Sequence, residues 1–367
     1  MQNKKKRLFY IWSFSLGGGA EKILATIANN LDPDRYDIDV LEMEHYDKGF
    51  PKLREGIRVL KPYKVRKHSR IMEAFLWRLR FWCPNLVRKK LIKDEYDVEI
   101  SFTIMNPPLP FSKRNEVKKI AWIHGSIENM PENETYYKLH GEHLGTADYI
   151  VAISKKTRDS IEQAFPEYKN KIVTIYNGYN FEELRKKAKE DCSEKIEEKS
   201  ICCIGRLEEL KGTERTLNLF KALYDKGYKY HLYYIGTGEQ ETKLRSKVKE
   251  WKLMDYVHFL GYQNNPYKYL GRMKMLVTMS LQEGFSGACV EALSLGKPFV
   301  STDVGGAEEL SQNGKFGKII FDDAEALEAI ITYMEDKCEV DNEERSAFIE
   351  GFTVESQMQA IKNILSV

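Results

Sequence analysis

Two hydrophobic periods alternate along the chain. Apolar runs of four to eight residues, the length of a buried strand, are followed by segments whose apolar positions recur every three or four residues, as in an amphipathic helix. In the first half the strand-like runs are Leu8–Trp12, Tyr36–Leu41, Ile57–Leu60, Asp97–Phe102, Lys118–Ile123, Asp148–Ile153 and Lys171–Tyr176. In the second half they are Ser200–Ile204, Tyr230–Ile235, Val257–Leu260, Met273–Ser280 and Pro298–Thr302. Helical spacing covers Ala20–Leu31, Lys155–Phe165 behind the N-cap candidate Ser154, Thr213–Asp225, Glu239–Trp251, Asp322–Met334 and Thr353–Leu365. Strand and helix in alternation predict an α/β fold with parallel sheets.

A chain of 367 residues is long for one domain and suits two, each able to bury its own core. Residues 1–180 and 196–351 form the two halves, with the charge-dense stretch Phe181–Lys199 holding the connection. The net charge of +2 gives no whole-molecule field for nucleic acid, which is not expected as a partner. Six cysteines, at 83, 192, 202, 203, 289 and 338, lack C-x-x-C spacing and read as reduced cytosolic thiols, with no metal site expected. Lys4–Arg7 before Leu8–Leu16 imitates a secretory leader, but no small-residue cleavage site follows. No apolar run approaches the roughly 20 residues that span a bilayer. The aspartates of Asp32-Pro33-Asp34 and Asp37-Ile38-Asp39 sit at a helix exit and in a strand and read as solvated charges rather than metal ligands.

The densest chemistry lies between Met273 and Leu310. A buried strand there ends in a polar loop, a short helix runs from about Ser286 to Leu295, and a second strand leads to Gly305-Gly306 and another helix. Ligands of parallel α/β units collect past the strands' carboxyl ends, where helix N-termini present unpaired N–H groups. Glu283 sits at that edge and Glu291 lies in the helix beyond it, so both carboxylates can face one pocket. Ser286 is placed to cap the helix, and Gly284 and Gly287 let backbone approach a ligand. Two isolated glutamates would be read as solvated charges; the glycines and the doubled unit argue otherwise.

The stretch EGFSGACVE, followed by EALSLGKPFVSTDVGG, resembles the signature of the family 4 retaining glycosyltransferases of GT-B fold. The resemblance implies two Rossmann-like parallel-sheet domains facing a central cleft, with the last helix, 352–367, returning to the first domain. It implies that Glu283 borders a donor sugar, that Glu291 holds the ribose of a nucleotide, and that Gly284, Phe285, Ser286 and Gly287 line the donor. Many members carry proline where this chain has Ser286. Earlier in this half, Arg206 and Lys211 leave a strand's carboxyl end together, where two cations suit a diphosphate. Their stretch, GRLEELKG, resembles the family's phosphate clamp.

In the first half, Gly17, Gly18 and Gly19 form either a tight turn or a phosphate-facing loop; the family keeps a glycine-rich loop here, facing donor phosphate and acceptor. His124 ends a strand, and the family usually has a histidine at the matching place beside the donor sugar. Asn177 matches an Asn-Gly before the domain crossing and is a candidate on the acceptor side.

From Lys64 to Lys93 ten lysines and arginines stand against one acid, Glu73. Ile71, Met72, Phe75, Leu76, Leu79 and Trp82 share one helical face, expected to pack on the domain. Trp77 and Phe81 then project from the other side among Arg70, Arg78 and Arg80, which fits a membrane surface, a lipid-linked acceptor carrying pyrophosphate, or a solvated basic helix.

The expectation is a cytoplasmic glycosyltransferase, peripheral on the inner membrane face, that takes a nucleotide-diphosphate sugar and a glycan acceptor and needs neither cofactor nor metal. His124, Arg206, Lys211 and Glu283 carry its chemistry. An epimerase or phosphorylase of the same fold, or a non-catalytic glycan-binding subunit, are the alternatives.

Overall fold

The computed structural model describes residues 4–16, 18–65, 70–127, 134–338 and 340–365. The chain divides into two compact units, Met1–Gly178 with Val354–Val367, and Tyr179–Thr353.

In the first unit the strands are β1 (Lys5–Ile11), β2 (Tyr36–Glu42), β3 (Glu44–His45), β4 (Arg58–Val59), β5 (Lys64–Val65), β6 (Val98–Ser101), β7 (Lys118–Ile123), β8 (Tyr149–Ala152) and β9 (Ile172–Thr174). Seven form one sheet in the order β4-β2-β1-β6-β7-β8-β9, and β3 pairs with β5 apart from it. Every pairing is parallel. Leu8, Tyr10, Leu41, Ile123, Ile150 and Ile161 meet in its core. Ser154 caps the helix Lys155–Ala164 by accepting from the Thr157 amide. The helix Val354–Leu365, from the far end of the chain, belongs to this unit: Met358 and Ile361 are buried, and the Lys118 ammonium donates to the Ile364 carbonyl at 3.1 Å.

The second unit contains β10 (Ser200–Ile204), β11 (His231–Ile235), β12 (Val257–Phe259), β13 (Met275–Thr278), β14 (Phe299–Thr302) and β15 (Gly317–Ile320), an edge strand absent from the sequence reading. The all-parallel order β12-β11-β10-β13-β14-β15 reverses direction between β10 and β13. That reversal is the topological switch point, outside which doubly wound sheets bind their ligands.

Three sequence expectations fail on local packing. Asp39 is not solvated: it is buried, accepts from Arg58 Nε at 2.7 Å and takes the Tyr96 hydroxyl at 2.5 Å. Ser286 occupies the N-cap of the helix Gly287–Ser294, but its hydroxyl donates to Cys289 Sγ at 3.0 Å and caps no amide. The third concerns the basic helix. Leu79 of its expected inner face does pack on the core, but Arg80 turns inward too: it is buried, hydrogen-bonded to the Asn106 carbonyl and 5.0 Å over the Trp12 ring, with its pKa lowered by burial to about 10. Arg80 therefore does not stand with Trp77 and Arg78 on the outer side, and of the expected packing face Leu76 and Leu79 are half-buried while Ile71, Met72, Phe75 and Trp82 are exposed.

Candidate active site

β10 and β13 lie side by side at the switch point, and the loop after each supplies one half of an ion pair. After β10 the chain runs through Arg206 into a single 3₁₀ turn, Glu209–Lys211, ended by Gly212. Gly212 has φ +59°, and a Cβ there would lie 1.8 Å from the Met279 carbonyl oxygen. Only glycine lets the loop lie this close to the end of β13. The Leu281 amide then donates to the Leu210 carbonyl at 2.9 Å, tying the two loops together.

Lys211 Nζ consequently lies 2.6 Å from Glu283 Oε1 and 2.7 Å from Oε2. The buried Ser280 hydroxyl adds a 2.8 Å bond to Oε1, and the Ser280 carbonyl accepts from Thr302 Oγ1 at 2.5 Å. With Lys211 and Glu283 only 25% and 17% exposed, the pair is shielded from water without being sealed from it. Such a pair is poised to exchange partners with an incoming ligand: the ammonium with an anion, the carboxylate with hydroxyl groups. From the third side, Gly305 has φ +44°, and a Cβ on it would reach within 2.7 Å of Glu283 Cβ.

Glu291 lies in the second turn of the helix Gly287–Ser294, its Oε1 accepting from the Tyr267 hydroxyl at 3.0 Å. Burial, and then the charge of Glu291, push the Tyr267 phenol well above its ordinary range, so it acts as a donor. Phe285 is buried and packs 5.9 Å from the Phe352 ring, so it shapes the loop from within. Gly287 lies where a Cβ would meet the Tyr179 hydroxyl at 3.0 Å, and Gly284 stands between Glu283 and Phe285 in the same loop. Arg206 is apart from this arrangement: it is 70% exposed and pairs with Glu208 at 2.8 Å.

In the first unit, Gly17 lies outside the described residues. Gly18 is the N-cap of the helix Gly19–Asn30, and a Cβ on it would lie 2.7 Å from Glu21 Oε2. Before them, the buried Glu42 carboxylate accepts from the Phe14 and Ser15 amides, each at 2.9 Å, and lies 2.6 Å from His45 Nδ1. His124 follows β7 with its ring 4.7 Å from Phe102; Nε2 is shielded without a partner, and desolvation lowers the pKa to about 4. Its imidazole is therefore neutral at pH 7. Asn177 is buried with its Oδ1 unpartnered. Among the described residues no group of three or more His, Cys, Asp or Glu could hold a metal ion, and no helix is long and apolar enough to cross a membrane.

Sequence reasoning missed Ser280, Tyr267 and Glu42. Ser280 follows β13 by two residues and precedes Glu283 by three, a spacing that offers a faint signal. Tyr267 meets Glu291 across 24 residues and Glu42 meets Ser15 across 27, and no local pattern announces either contact.

Two parallel-sheet units, the second with a switch point at its candidate site, are the architecture of the GT-B glycosyltransferases. Residues 17–183 match the model of Glycosyltransferase Family 4, and residues 184–351 match that of Glycosyl transferases group 1. The chain belongs to that family of glycosyltransferases. An uncharacterised glycosyltransferase of Methanocaldococcus jannaschii is 29% identical over 256 residues, spanning 67% of this chain and only 61% of that protein. The N-acetylgalactosamine-N,N'-diacetylbacillosaminyl-diphospho-undecaprenol 4-alpha-N-acetylgalactosaminyltransferase of Campylobacter jejuni is 26% identical, covering 89% of this chain and 90% of that protein. Among solved structures, Anabaena HepE in complex with UDP superposes with a TM-score of 0.73 over 99% of both chains, at 19% identity, a likeness of fold.

Proposed function

We propose that this glycosyltransferase moves a hexose or N-acetylhexosamine from a UDP-sugar to a lipid-linked glycan acceptor, with retention at the anomeric carbon. The work belongs to surface polysaccharide or glycoconjugate assembly at the inner membrane face. The observation that carries the reading is the Lys211–Glu283 pair, braced by Ser280 at the switch point of the second sheet. The UDP bound to HepE and the diphospho-undecaprenol in the name of the Campylobacter relative support the choice of donor and acceptor class.

Sugar transfer from a nucleotide diphosphate builds negative charge on the departing phosphate, and fixed cations and helix N–H groups stabilise it as it forms. Lys211 is the cation paired with Glu283, and the exposed Arg206 reaches the diphosphate by leaving Glu208. Once Lys211 turns to phosphate, Glu283 is free to accept from the sugar hydroxyls, while Glu291, held by Tyr267, takes the ribose. Within the first unit, the neutral His124, the stretch Gly17, Gly18 and Gly19, and Asn177 are the proposed substrate contacts. Attack comes on the face the diphosphate leaves, with that diphosphate taking the acceptor's proton. These charges are the protein's own, without a metal.

Proton NMR of the product tests the reading: an α-linked product from an α-linked UDP-sugar, formed in excess EDTA and lost in Glu291→Gln, is expected. An inverted product, or undiminished transfer by that variant, refutes it.

A further inference from the structure

We propose that the second unit carries a further anion site, built from Arg185, Lys297 and Arg345, that takes a compact phosphate-class anion such as pyrophosphate. It lies at the other edge of the sheet from Lys211 and Glu283 and goes beyond the reading given above.

The helix Gly287–Ser294 separates the two places. The loop of Glu283, past the carboxyl end of β13, feeds its start. Its far end turns through Leu295 and Gly296 into Lys297, two residues before β14 begins at Phe299. A helix of eight residues is about 12 Å long, so one small ligand does not reach both ends.

Three cations meet at that far turn, each from a different element. The helices Phe181–Ala188 and Asn342–Ile349 both pack against Gly287–Ser294. From the first, Arg185 Nε donates to the Ser294 carbonyl at 3.2 Å. From the second, Arg345 reaches in until a Cβ on Gly296 would lie 3.1 Å from its Nη2. Gly296 has φ +77°, so glycine there closes the turn and also leaves room for the guanidinium. Lys297 follows directly and is half-buried.

The acids nearby are engaged elsewhere. Arg345 is 7% exposed, and its Nε is buried without a partner. Among the described residues none of the three cations is paired with a carboxylate: Glu183 holds Lys187, Glu344 holds Lys315 and Asp336 holds Lys274. Asp341, whose charge does act on Arg345, accepts from the Glu343 and Glu344 amides at 2.8 and 3.0 Å. Burial, and then the charge of Arg185, lower the Arg345 pKa; burial, and then Lys274 and Arg345, lower that of Lys297.

Capping the helix does not account for so much charge. A helix C-terminus carries about half a negative charge, against three positive ones here. Its carbonyls are also taken: the Gly296 amide donates to that of Leu293 at 3.0 Å and the Lys297 amide to that of Ala292 at 2.9 Å, leaving Ser294 to Arg185. A buried guanidinium without a counter-ion is costly, and a ligand that brings the missing charge offsets that cost. Two guanidinium forks and an ammonium converging from separate helices suit the several oxygens of a phosphate better than one carboxylate.

The test is titration calorimetry of the full chain with inorganic phosphate and with pyrophosphate, from a buffer free of both. Pyrophosphate binding that persists in Lys211→Met, where the switch-point cation is gone, is expected. Arg185→Gln and Lys297→Met should each weaken it about tenfold or more, the effect of losing a hydrogen bond to a charged group. Arg345→Met should abolish it and, in the anion-free buffer, melt no lower than wild type, because an unpaired buried charge has gone. Four results would overturn the proposal. They are no heat from wild type with either anion, Arg185→Gln and Lys297→Met that bind like wild type, binding lost in Lys211→Met but kept in Lys297→Met, and an Arg345→Met chain that melts well below wild type or fails to fold. The third would put the anion at the switch point, and the last would make Arg345 a structural cap.

Discussion

Lys211 and Glu283, 72 positions apart in the chain, meet at 2.6 Å because two adjacent strands end at the same edge of the second sheet. Each is the other's counter-ion until a ligand competes. Lys211→Met keeps the stem and removes the charge, leaving Glu283 with the Ser280 hydroxyl as its remaining bond. Removing one preorganised donor to a developing oxyanion costs about 10²–10³ in rate. A loss of that size in kcat/KM for transfer, with folding intact, is expected; a loss under about threefold would remove Lys211 from the chemistry.

Tyr267→Phe deletes the hydroxyl that holds Glu291 and little else. One hydrogen bond to a carboxylate contributes about 1.5–3 kcal/mol, so UDP affinity should fall about tenfold or more while the turnover of saturated enzyme stays near wild type. Titration calorimetry with UDP, alongside KM and kcat, reads both. A fall in kcat at unchanged KM would place Tyr267 in the chemical step instead.

Gly212→Ala and Gly19→Ala form a contrasting pair. A Cβ at Gly212 collides with the Met279 carbonyl in a left-handed backbone, whereas one at Gly19 meets nothing within 4 Å at a helix start. Denaturant midpoints should show Gly212→Ala destabilised by about 2 kcal/mol or more and Gly19→Ala unchanged or slightly stabilised. Equal stability of the two would contradict the close approach of the loop after β10 to β13.

Acid should weaken the first unit through His124. Its folded pKa, near 4, lies below the ordinary value of 6.5, so the unfolded chain binds more protons between those limits. Stability is therefore whole above about pH 6.5 and declines as the pH falls towards 4. His124→Asn should lessen that decline in urea midpoints measured across the interval, the rest coming from the buried His143, whose pKa is lowered to about 3; a slope identical to wild type would mean the His124 ring is not desolvated.

The sheets were legible because parallel strands buried on both faces write themselves as apolar runs. β15 escaped because Gly317–Ile320 sits at an edge with Lys318 exposed, a pattern too short and too mixed to stand out. Glu283, Glu291 and Lys211 could be named from their places after strands and in the following helix. Their partners could not, since Ser280 and Tyr267 are brought in by tertiary packing that leaves no period in the sequence. The basic helix misled for a related reason: periodicity sorts residues into faces but does not say which face turns inward. The side that turns inward takes Leu79 together with Arg80, whose guanidinium lies against the Asn106 carbonyl. Asp39 was misread likewise, because its partners Arg58 and Tyr96 come from distant segments.

The helix Val354–Leu365 belongs to the unit whose other residues end at Gly178. On the ribosome, the leading half must wait through synthesis of the whole trailing half before its last helix emerges to pack beside the helix Gly19–Asn30. The trailing half, contiguous from Tyr179 to Thr353, can close first, so the half translated last is the one free to finish folding earliest.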